Sequence, residues 1–210
     1  MGSIPANPLP GYLASQAEFI VNNLEQTDYQ FTENIDVDNG IYDCDCNGFV
    51  GFVLEGAAPA HYAIIDALKE PAQPRPRAFI YCDFFTSLTP ESPGGWHRIE
   101  SLIDARRGDI IAWRFPTIQE GEDTGHVCFV ADTPAPDGSG AFIAVRVYDS
   151  ADKPHFDDTR ATGPFPNGVG SGFINFTVDG AGRPIAFQFA PPASAPFTYL
   201  EIAIGRVEPL

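Results

Sequence analysis

Two cysteines lie one residue apart in the segment IYDCDCNGFVGFVLEG, residues 41–56, where a polar loop gives way to an apolar run. Cys46 stands at this junction, so its sulfur is expected near the N-terminus of a helix. The unpaired N–H groups and the dipole of a helix start favour the thiolate, which is the nucleophilic form of cysteine. Gly48 would permit the close approach of a substrate or of another backbone segment. Cys44 gains neither effect, so Cys46 is the candidate nucleophile, with a small core residue as the alternative.

A thiol nucleophile needs a base, and His126 is the best placed of the four histidines. It opens the segment HVCFVAD, whose β-branched and aromatic residues predict a strand. Asp149 ends a later predicted strand, AFIAVRVYD. If the two strands form an antiparallel hairpin, the start of the first lies beside the end of the second. We therefore predict that Asp149 orients the His126 ring as the third member of a catalytic triad. An edge histidine and a turn aspartate are the structural alternatives.

A second polar cluster, DSADKPHFDDTR at residues 149–160, gathers four aspartates and a histidine. Its spacing is not that of a metal site, and the segment NIDVDNG lacks the full calcium-loop pattern. We therefore expect neither a metal nor another cofactor. His155 of this cluster is a candidate substrate-binding residue, or an alternative to Asp149 as the orienting residue.

The predicted elements place helices first and strands second. Apolar residues at helical spacing predict helices in four segments: GYLASQAEFIVNNLEQ, CNGFVGFVLEG, PAHYAIIDALKE and AFIYCDFFTSL. After Trp96 the pattern changes to six short strands: GDIIAWRF, HVCFVAD, AFIAVRVYD, GFINFTVD, PIAFQFA and YLEIAIGRV. The segment VDGAGRP predicts a hairpin connection between two of them. This order predicts one α+β domain over residues 1–210, with a helical part at about 11–90 and an antiparallel sheet at about 108–207.

The composition excludes several classes of protein. The hydrophobic content of 44% is ordinary for a globular chain, and no apolar stretch approaches the roughly 20 residues of a membrane-spanning helix. A formal charge of −16, from 12 basic against 28 acidic residues, disfavours nucleic acid and anionic membranes as partners. Four cysteines are too few for a disulfide scaffold. The N-terminus MGSIPANPLPGYL is not an intact signal peptide, and the compartment stays open.

Two segments resemble the signatures of NlpC-type cysteine hydrolases, a branch of the papain-like fold. DCNGFVGFVL is similar to their Asp-Cys-Ser-Gly-Phe-Val nucleophile motif, and GDIIAWRF followed by GHVCFVAD resembles the strands that carry the base. The resemblance spans about residues 11–150. It implies a papain-like fold in which N-terminal helices pack on a C-terminal antiparallel sheet. It also implies Cys46 as nucleophile, His126 as general base and Asp149 as the third polar residue.

The resemblance assigns further residues around the nucleophile. The backbone N–H of Cys46 and the hydroxyl of Tyr29, which lies a loop ahead of it, would form the oxyanion site. In family members that cut cell-wall peptides, the aspartate before the cysteine helps to bind a substrate amine, and that residue is Asp45 here. Asn47 replaces the usual serine, and Asp149 lies farther along the chain than the family's third residue, which is more often histidine. The first departure affects the substrate side of the site, and the second affects the residue that orients the base.

The sequence therefore predicts a thiol protease or amidase that cleaves an amide, peptide or isopeptide bond through a thioester. A stem peptide of bacterial peptidoglycan is one candidate substrate. Acyl transfer would use the same Cys-His-Asp site, and a non-catalytic binding module that kept the fold is a third hypothesis. The sequence leaves open the natural substrate, the oligomeric state and the role of Cys44.

Overall fold

The computed structural model describes residues 9–89 and 94–210 of the protein. Four helices precede the main sheet: α1 (Leu9–Asn22), α2 (Cys46–Ala57), α3 (Pro59–Asp66) and α4 (Ala78–Ser87). They coincide with the four predicted helices to within a few residues. Residues 1–8, where the sequence shows no intact signal peptide, and residues 90–93, which include the predicted end of the helical part, lie outside the described ranges.

A small two-stranded sheet, which the sequence did not predict, lies between α1 and α2. Its strands β1 (Asn34–Asp36) and β2 (Ile41–Asp43) pair antiparallel. The turn between them contains Gly40 at φ +66°, a conformation that favours glycine. Only Cys44 and Asp45 separate β2 from α2, so this small sheet fixes the path by which the chain reaches Cys46.

The main sheet has nine strands, and all its pairings are antiparallel. They are β3 (Trp96–Ile99), β4 (Ile110–Arg114), β5 (Gly125–Val130), β6 (Ala135–Pro136), β7 (Ile143–Ala151), β8 (Gly168–Val178), β9 (Pro184–Gln188), β10 (Thr198–Tyr199) and β11 (Glu201–Val207). Eight of them follow the order β10-β9-β8-β7-β5-β4-β11-β3, and β6 pairs with β7. All six predicted strands are present, and so is the hairpin between β8 and β9. The α+β class is confirmed.

Shorter elements were not predicted by the sequence. A one-turn helix, α5 (Thr159–Thr162), follows β7 inside the aspartate-rich segment, and a 3-10 turn covers Leu102–Asp104. Strands β3, β6 and β10 are also additional to the prediction. Of the helices in the described ranges, none combines the length and the apolar character that crossing a lipid bilayer requires.

Two apolar cores lie on the two faces of the sheet. Val127 of β5 belongs to the core that α2 and α4 also line, whereas its neighbour Cys128 belongs to the second core. This alternation is the period-two pattern of a strand. Cys46 belongs to the same core as Val127. His126 lies two residues before Cys128 on β5, so the two residues are on the same face of the sheet.

Candidate active site

Cys46 is the first residue of α2, and the local sequence holds it there. The Asp45 side chain caps the helix, because its Oδ1 accepts a hydrogen bond from the Gly48 N–H at 2.8 Å. A Cβ atom on residue 48 would lie 2.7 Å from Glu33 Oε1, so the close packing of this loop requires glycine. The Cys46 side chain is buried, with 3% of the residue exposed, and the backbone N–H of Val127 on β5 interacts with its sulfur.

The resting form of Cys46 is the neutral thiol. Burial raises the pKa of this thiol well above its usual value, and the negative charge of Asp45 raises it further. The Val127 N–H acts in the opposite direction without compensating for these effects. The expectation that the helix start would favour the thiolate is therefore not met, because desolvation outweighs it. A nucleophilic Cys46 must lose its proton to a base as it attacks.

His126 and Asp149 lie where the hairpin argument predicts them. Strands β5 and β7 pair antiparallel with Phe129 opposite Tyr148, so the start of β5 lies near the end of β7. His126 Nε2 is 2.7 Å from Asp149 Oδ2. Because an ionised carboxylate can only accept, Nε2 carries the proton and donates it. Nδ1 is then the ring nitrogen with a free lone pair, as a general base needs.

Aromatic neighbours fix the orientation of the His126 ring. Trp113, directly opposite on β4, lies with its ring centroid 5.0 Å away and tilted by 31°, and Phe189 approaches edge-on at 5.2 Å. Gly125 has φ +134°, and a Cβ there would collide with the Trp113 carbonyl oxygen. The residue before His126 must therefore be glycine for a steric reason.

Asp149 is fully buried and ionised. Its Oδ2 accepts from both His126 and His155 Nε2 at 2.7 Å, and its Oδ1 accepts from Arg160 Nη2 at 2.9 Å. Burial alone would raise the pKa of Asp149, but the positive charges of His155 and Arg160 hold it well below its usual value. Asp158 anchors Arg160 in turn, with Oδ2 at 2.7 Å from Nη2. His126 therefore donates to a charged acceptor whose position is fixed by three donors.

His155 lies behind Asp149 and not on the wall of a pocket. The residue is 1% exposed, Nδ1 lies 2.9 Å from the Phe189 carbonyl oxygen, and Nε2 is bound to Asp149. Both ring nitrogens are used inside the protein, so neither is left for a substrate. The structure therefore does not support the expected substrate-binding role of His155 and fits the alternative, a role in orienting the triad.

Two pockets meet at the site. The Cys46 pocket has a volume of ≈ 220 Å³, and the His126 cleft has a volume of ≈ 450 Å³. Tyr29, Phe31 and Asp123 line both, so the two pockets share one wall. Six aromatic residues line the His126 cleft: Tyr29, Phe31, Trp113, Phe115, Phe187 and Phe189.

The thiol and the base line pockets that share a wall, but no hydrogen bond joins them in the described part of the chain. Within residues 9–89 and 94–210, the Cys46 thiol has a side-chain partner in Asn47 Oδ1, at 3.8 Å, but none in the His126 ring. The N–H that interacts with the sulfur nevertheless belongs to Val127, the next residue after His126. The thiol thus lies against the peptide bond that follows the base, and a substrate carbonyl would be held between the two pockets.

Tyr29 stands between the pockets with its hydroxyl protonated. Burial raises the pKa of this hydroxyl above its usual range, and the nearby Cys46 raises it further. Its backbone N–H donates to Asn167 Oδ1 at 2.8 Å, which ties the segment to the loop before β8. A protonated hydroxyl beside the nucleophile is able to donate a hydrogen bond, as the expected oxyanion role of Tyr29 requires.

Asp45, the expected binder of a substrate amine, already has a cationic partner. Arg75 Nη2 donates to Asp45 Oδ1 at 2.9 Å, and both side chains are buried beside the Cys46 pocket. Burial raises the pKa of Asp45 in spite of Arg75. The Gly48 N–H also donates to Oδ1, so Oδ2 is the oxygen left for a substrate. An amine would therefore share Asp45 with Arg75.

Cys44 contributes to the structure through its backbone carbonyl oxygen. All four cysteines are free and buried. The Cys44 carbonyl oxygen accepts a hydrogen bond of 2.6 Å from Ser150 Oγ, the residue after Asp149. This bond ties the loop before the nucleophile to the strand that carries the orienting carboxylate.

The donor atoms of His126, Asp149 and His155 lie within 4.8 Å of one another, so these three residues could in principle hold a metal ion. Both imidazoles, however, use the nitrogen that would face the ion to donate a proton to Asp149. Arg160, a permanent cation, binds the other oxygen of the same carboxylate. The donor atoms of His126, Asp149 and His155 therefore fit a hydrogen-bonded cluster better than a metal centre.

Sequence reasoning did not assign several residues that complete the site. Arg160 and Asp158 support Asp149, Arg75 pairs with Asp45, and Ser150 holds the nucleophile loop. The one available signal was the arginine that closes the acidic run DSADKPHFDDTR. An arginine among acids is otherwise typical of a solvated surface.

Comparisons of the chain with protein-family models, with curated proteins and with solved structures found no match.

Proposed function

We propose that the protein is a cysteine-dependent hydrolase that cleaves an amide, peptide or isopeptide bond through a thioester of Cys46. The observation that carries this proposal is the buried His126–Asp149 hydrogen bond of 2.7 Å, in a histidine that lines a pocket beside the Cys46 pocket. The nucleophile begins a helix and the base begins a strand. This order supports a papain-like architecture and the relation to NlpC-type hydrolases that we propose for the chain.

In the acylation step, the Cys46 sulfur attacks the substrate carbonyl carbon and the thiol proton passes to His126 Nδ1. The neutral resting thiol makes this transfer part of the attack. The carbonyl oxygen becomes an oxyanion, which the Cys46 backbone N–H and the Tyr29 hydroxyl would stabilise. Collapse of the tetrahedral intermediate breaks the carbon–nitrogen bond, and His126 gives its proton to the leaving amine.

In the deacylation step, His126 Nδ1 takes a proton from water while the oxygen of that water attacks the thioester carbon. Breakdown of the second tetrahedral intermediate releases a carboxylic acid, and the proton returns to the Cys46 sulfur. Asp149 remains ionised throughout and accepts the hydrogen bond from His126 Nε2. The free thiol and the neutral imidazole are thereby restored.

A bacterial cell-wall peptide is the substrate class that the resemblance offers, for an endopeptidase or an amidase. Pockets on both sides of the reacting groups give a peptide room on both sides of its scissile bond. The Asp45–Arg75 pair suits a substrate end that carries both an amine and a carboxylate, because each charge finds an opposite partner.

Acyl transfer is a second candidate, and the His126 cleft is the observation that favours it. Six aromatic side chains line the cleft beside the base, and an acceptor amine or alcohol could displace water from them. The same thioester would then pass its acyl group to that acceptor. Competition between water and added nucleophiles, followed by the ratio of the two products, distinguishes transfer from hydrolysis.

The test is mass spectrometry of the products after incubation with peptidoglycan stem peptides and with a panel of amides. Wild type is compared with Cys46→Ala, and Cys44→Ala is the matched control because Cys44 is an equally buried thiol two residues away. We expect products from the wild type and from Cys44→Ala but none from Cys46→Ala. Full turnover by Cys46→Ala refutes the proposal, and binding without turnover in all three supports the non-catalytic module.

A further inference from the structure

Both ring nitrogens of His155 face oxygen acceptors. Nδ1 lies 2.9 Å from the Phe189 carbonyl oxygen, and Nε2 lies 2.7 Å from Asp149 Oδ2. A carbonyl oxygen cannot donate a hydrogen bond, so Nδ1 must carry a proton. If Asp149 is ionised, Nε2 must carry a proton as well, and the ring is then an imidazolium.

The geometry around Asp149 requires it to be ionised. His126 and His155 both approach the same oxygen, Oδ2, at 2.7 Å, and a proton on that oxygen could serve only one of them. The other oxygen, Oδ1, is 2.9 Å from Arg160 Nη2, which always donates. A carboxylate accepts from all three neighbours. The proton between Oδ2 and His155 Nε2 belongs to the imidazole, because imidazole is ordinarily the stronger base and the Arg160 cation stabilises the ionised form of Asp149.

With Asp149 ionised, the charges of the buried cluster balance if one imidazole is cationic, and His155 is that ring because its Nδ1 must also carry a proton. Asp149 and Asp158 contribute two negative charges, and Arg160 contributes one positive charge. Asp158 Oδ2 accepts from the His155 backbone N–H at 2.8 Å and from Arg160 Nη2 at 2.7 Å. All four residues are at most 5% exposed, and an uncompensated charge at such depth is costly. A positive His155 ring makes the cluster neutral.

We propose that His155 is an imidazolium that, together with Arg160, fixes Asp149 as the ionised acceptor for His126. His155 is a positioning residue, since it touches Asp149 and not the substrate. Its role in turnover rests on the proposed function, whereas the charge of its ring does not. Because two cations already balance Asp149 and Asp158, His126 rests neutral, with Nδ1 free to accept the thiol proton.

The charged and titratable groups that surround this ring come from every element packed against it. They are Asp149 on β7, Arg160 on α5, His126 on β5, and Lys153 and Asp158 in the connection from β7 to α5; Lys153 Nζ lies 5.6 Å from the centroid of the Phe189 ring that His155 also contacts. The His155 ring thus contacts the Asp149 carboxylate, while the Asp158 carboxylate accepts from the His155 backbone N–H.

The first test is nuclear magnetic resonance of the ¹⁵N-labelled full chain. We expect both ring nitrogens of His155 to carry bonded protons in the neutral range, from about pH 6.5 to pH 7.5. The signals are assigned by their loss in His155→Gln. His61 is the matched comparison, a buried ring with one such bond, from Nε2 to the Glu208 carbonyl oxygen at 2.8 Å. Loss of either His155 proton within this range overturns the proposal, whether or not a substrate has been found.

The second test is the pH profile of kcat/KM for His155→Gln, on the best substrate of the amide panel. Glutamine keeps a donor toward Asp149 but removes the charge. We expect the acidic limb to move to higher pH by about one unit, because His126 holds a proton more strongly once the neighbouring cation is gone. His61→Gln should leave the limb in place. A uniformly lower rate with an unmoved limb would indicate a merely structural role and refute the positioning role. If His155→Gln does not fold, the spectrum of the wild type still decides.

Discussion

In an Asp149→Asn variant, a single amide oxygen would replace two carboxylate oxygens, while the donors on His126, His155 and Arg160 would remain. In the wild type these three donors use both oxygens at 2.7–2.9 Å. The asparagine NH₂ group would add a further donor to the cluster. Removing one member of a buried ionic cluster costs about 3–5 kcal/mol, because the partner charges remain buried. For a chain of this size that cost lowers Tm by about 6–20 °C.

The same substitution should have a larger effect on turnover. An amide facing Nε2 favours the proton on that nitrogen less strongly than a carboxylate does. The lone pair of the His126 ring is then less often on Nδ1. The corresponding change in a Ser-His-Asp triad lowers kcat by about 10⁴-fold, and we expect a loss of that order here. The assay is kcat/KM per folded molecule, with the folded fraction taken from circular dichroism at the assay temperature.

A matched control separates loss of charge at the site from loss of any buried carboxylate. Asp109 is fully buried and paired with Arg206 at 2.7 Å, but it lines neither pocket. Asp109→Asn should keep the activity per folded molecule of the wild type. If Asp149→Asn stayed within about tenfold of the wild type, Asp149 would not orient the base. If Asp109→Asn lost as much activity as Asp149→Asn, the effect would be general destabilisation.

Three further predictions concern the same region. The pKa of Asp149 is lower in the folded protein than in the unfolded chain, so its carboxylate stabilises the fold above its unfolded-state pKa and loses this effect on acidification. Tm of the wild type should therefore fall more steeply below about pH 4 than Tm of Asp149→Asn. Because burial raises the pKa of the Cys46 thiol, its alkylation by iodoacetamide should accelerate about tenfold per unit from about pH 6 to pH 9, whereas a plateau at low pH would indicate a preformed ion pair. In Gly48→Ala the new Cβ would lie 2.7 Å from Glu33 Oε1 and 3.0 Å from Cys44 Cβ, so we expect a loss of about 1–3 kcal/mol in urea titration; an unchanged midpoint would contradict the close packing.

The sequence predicted the elements that carry a regular period and missed those that depend on partners. Four helices and six strands follow from hydrophobic spacing alone, and the hairpin argument predicts His126 next to Asp149 from the strand pattern. The two-residue strand β6 and the short strands β1 and β2 have no such period. They exist because a neighbouring strand supplies hydrogen bonds, which is information from sequence positions far away.

The electrostatics of the site were beyond sequence reasoning for a different reason. Whether Cys46 rests as a thiolate depends on the balance between the helix start and desolvation, and burial is a property of the packed chain. The role of His155 likewise depends on the Phe189 carbonyl oxygen, 34 residues away, which no residue-type pattern can signal. What the sequence supplied was the set of candidates, and tertiary structure assigned their charges.

The two charge assignments have a joint consequence for how the site rests. A thiolate–imidazolium pair needs a low thiol pKa and an anionic environment around the imidazole. Burial opposes the first condition at Cys46. The compensation of Asp149 by Arg160 and His155 opposes the second at His126, since the carboxylate's charge is already balanced. Both effects favour a neutral thiol beside a neutral base, so the separation of charge is postponed to the moment of attack. In the proposed attack an oxyanion would form on the substrate, and Tyr29 and the start of α2 would stabilise the transition state selectively over the resting state.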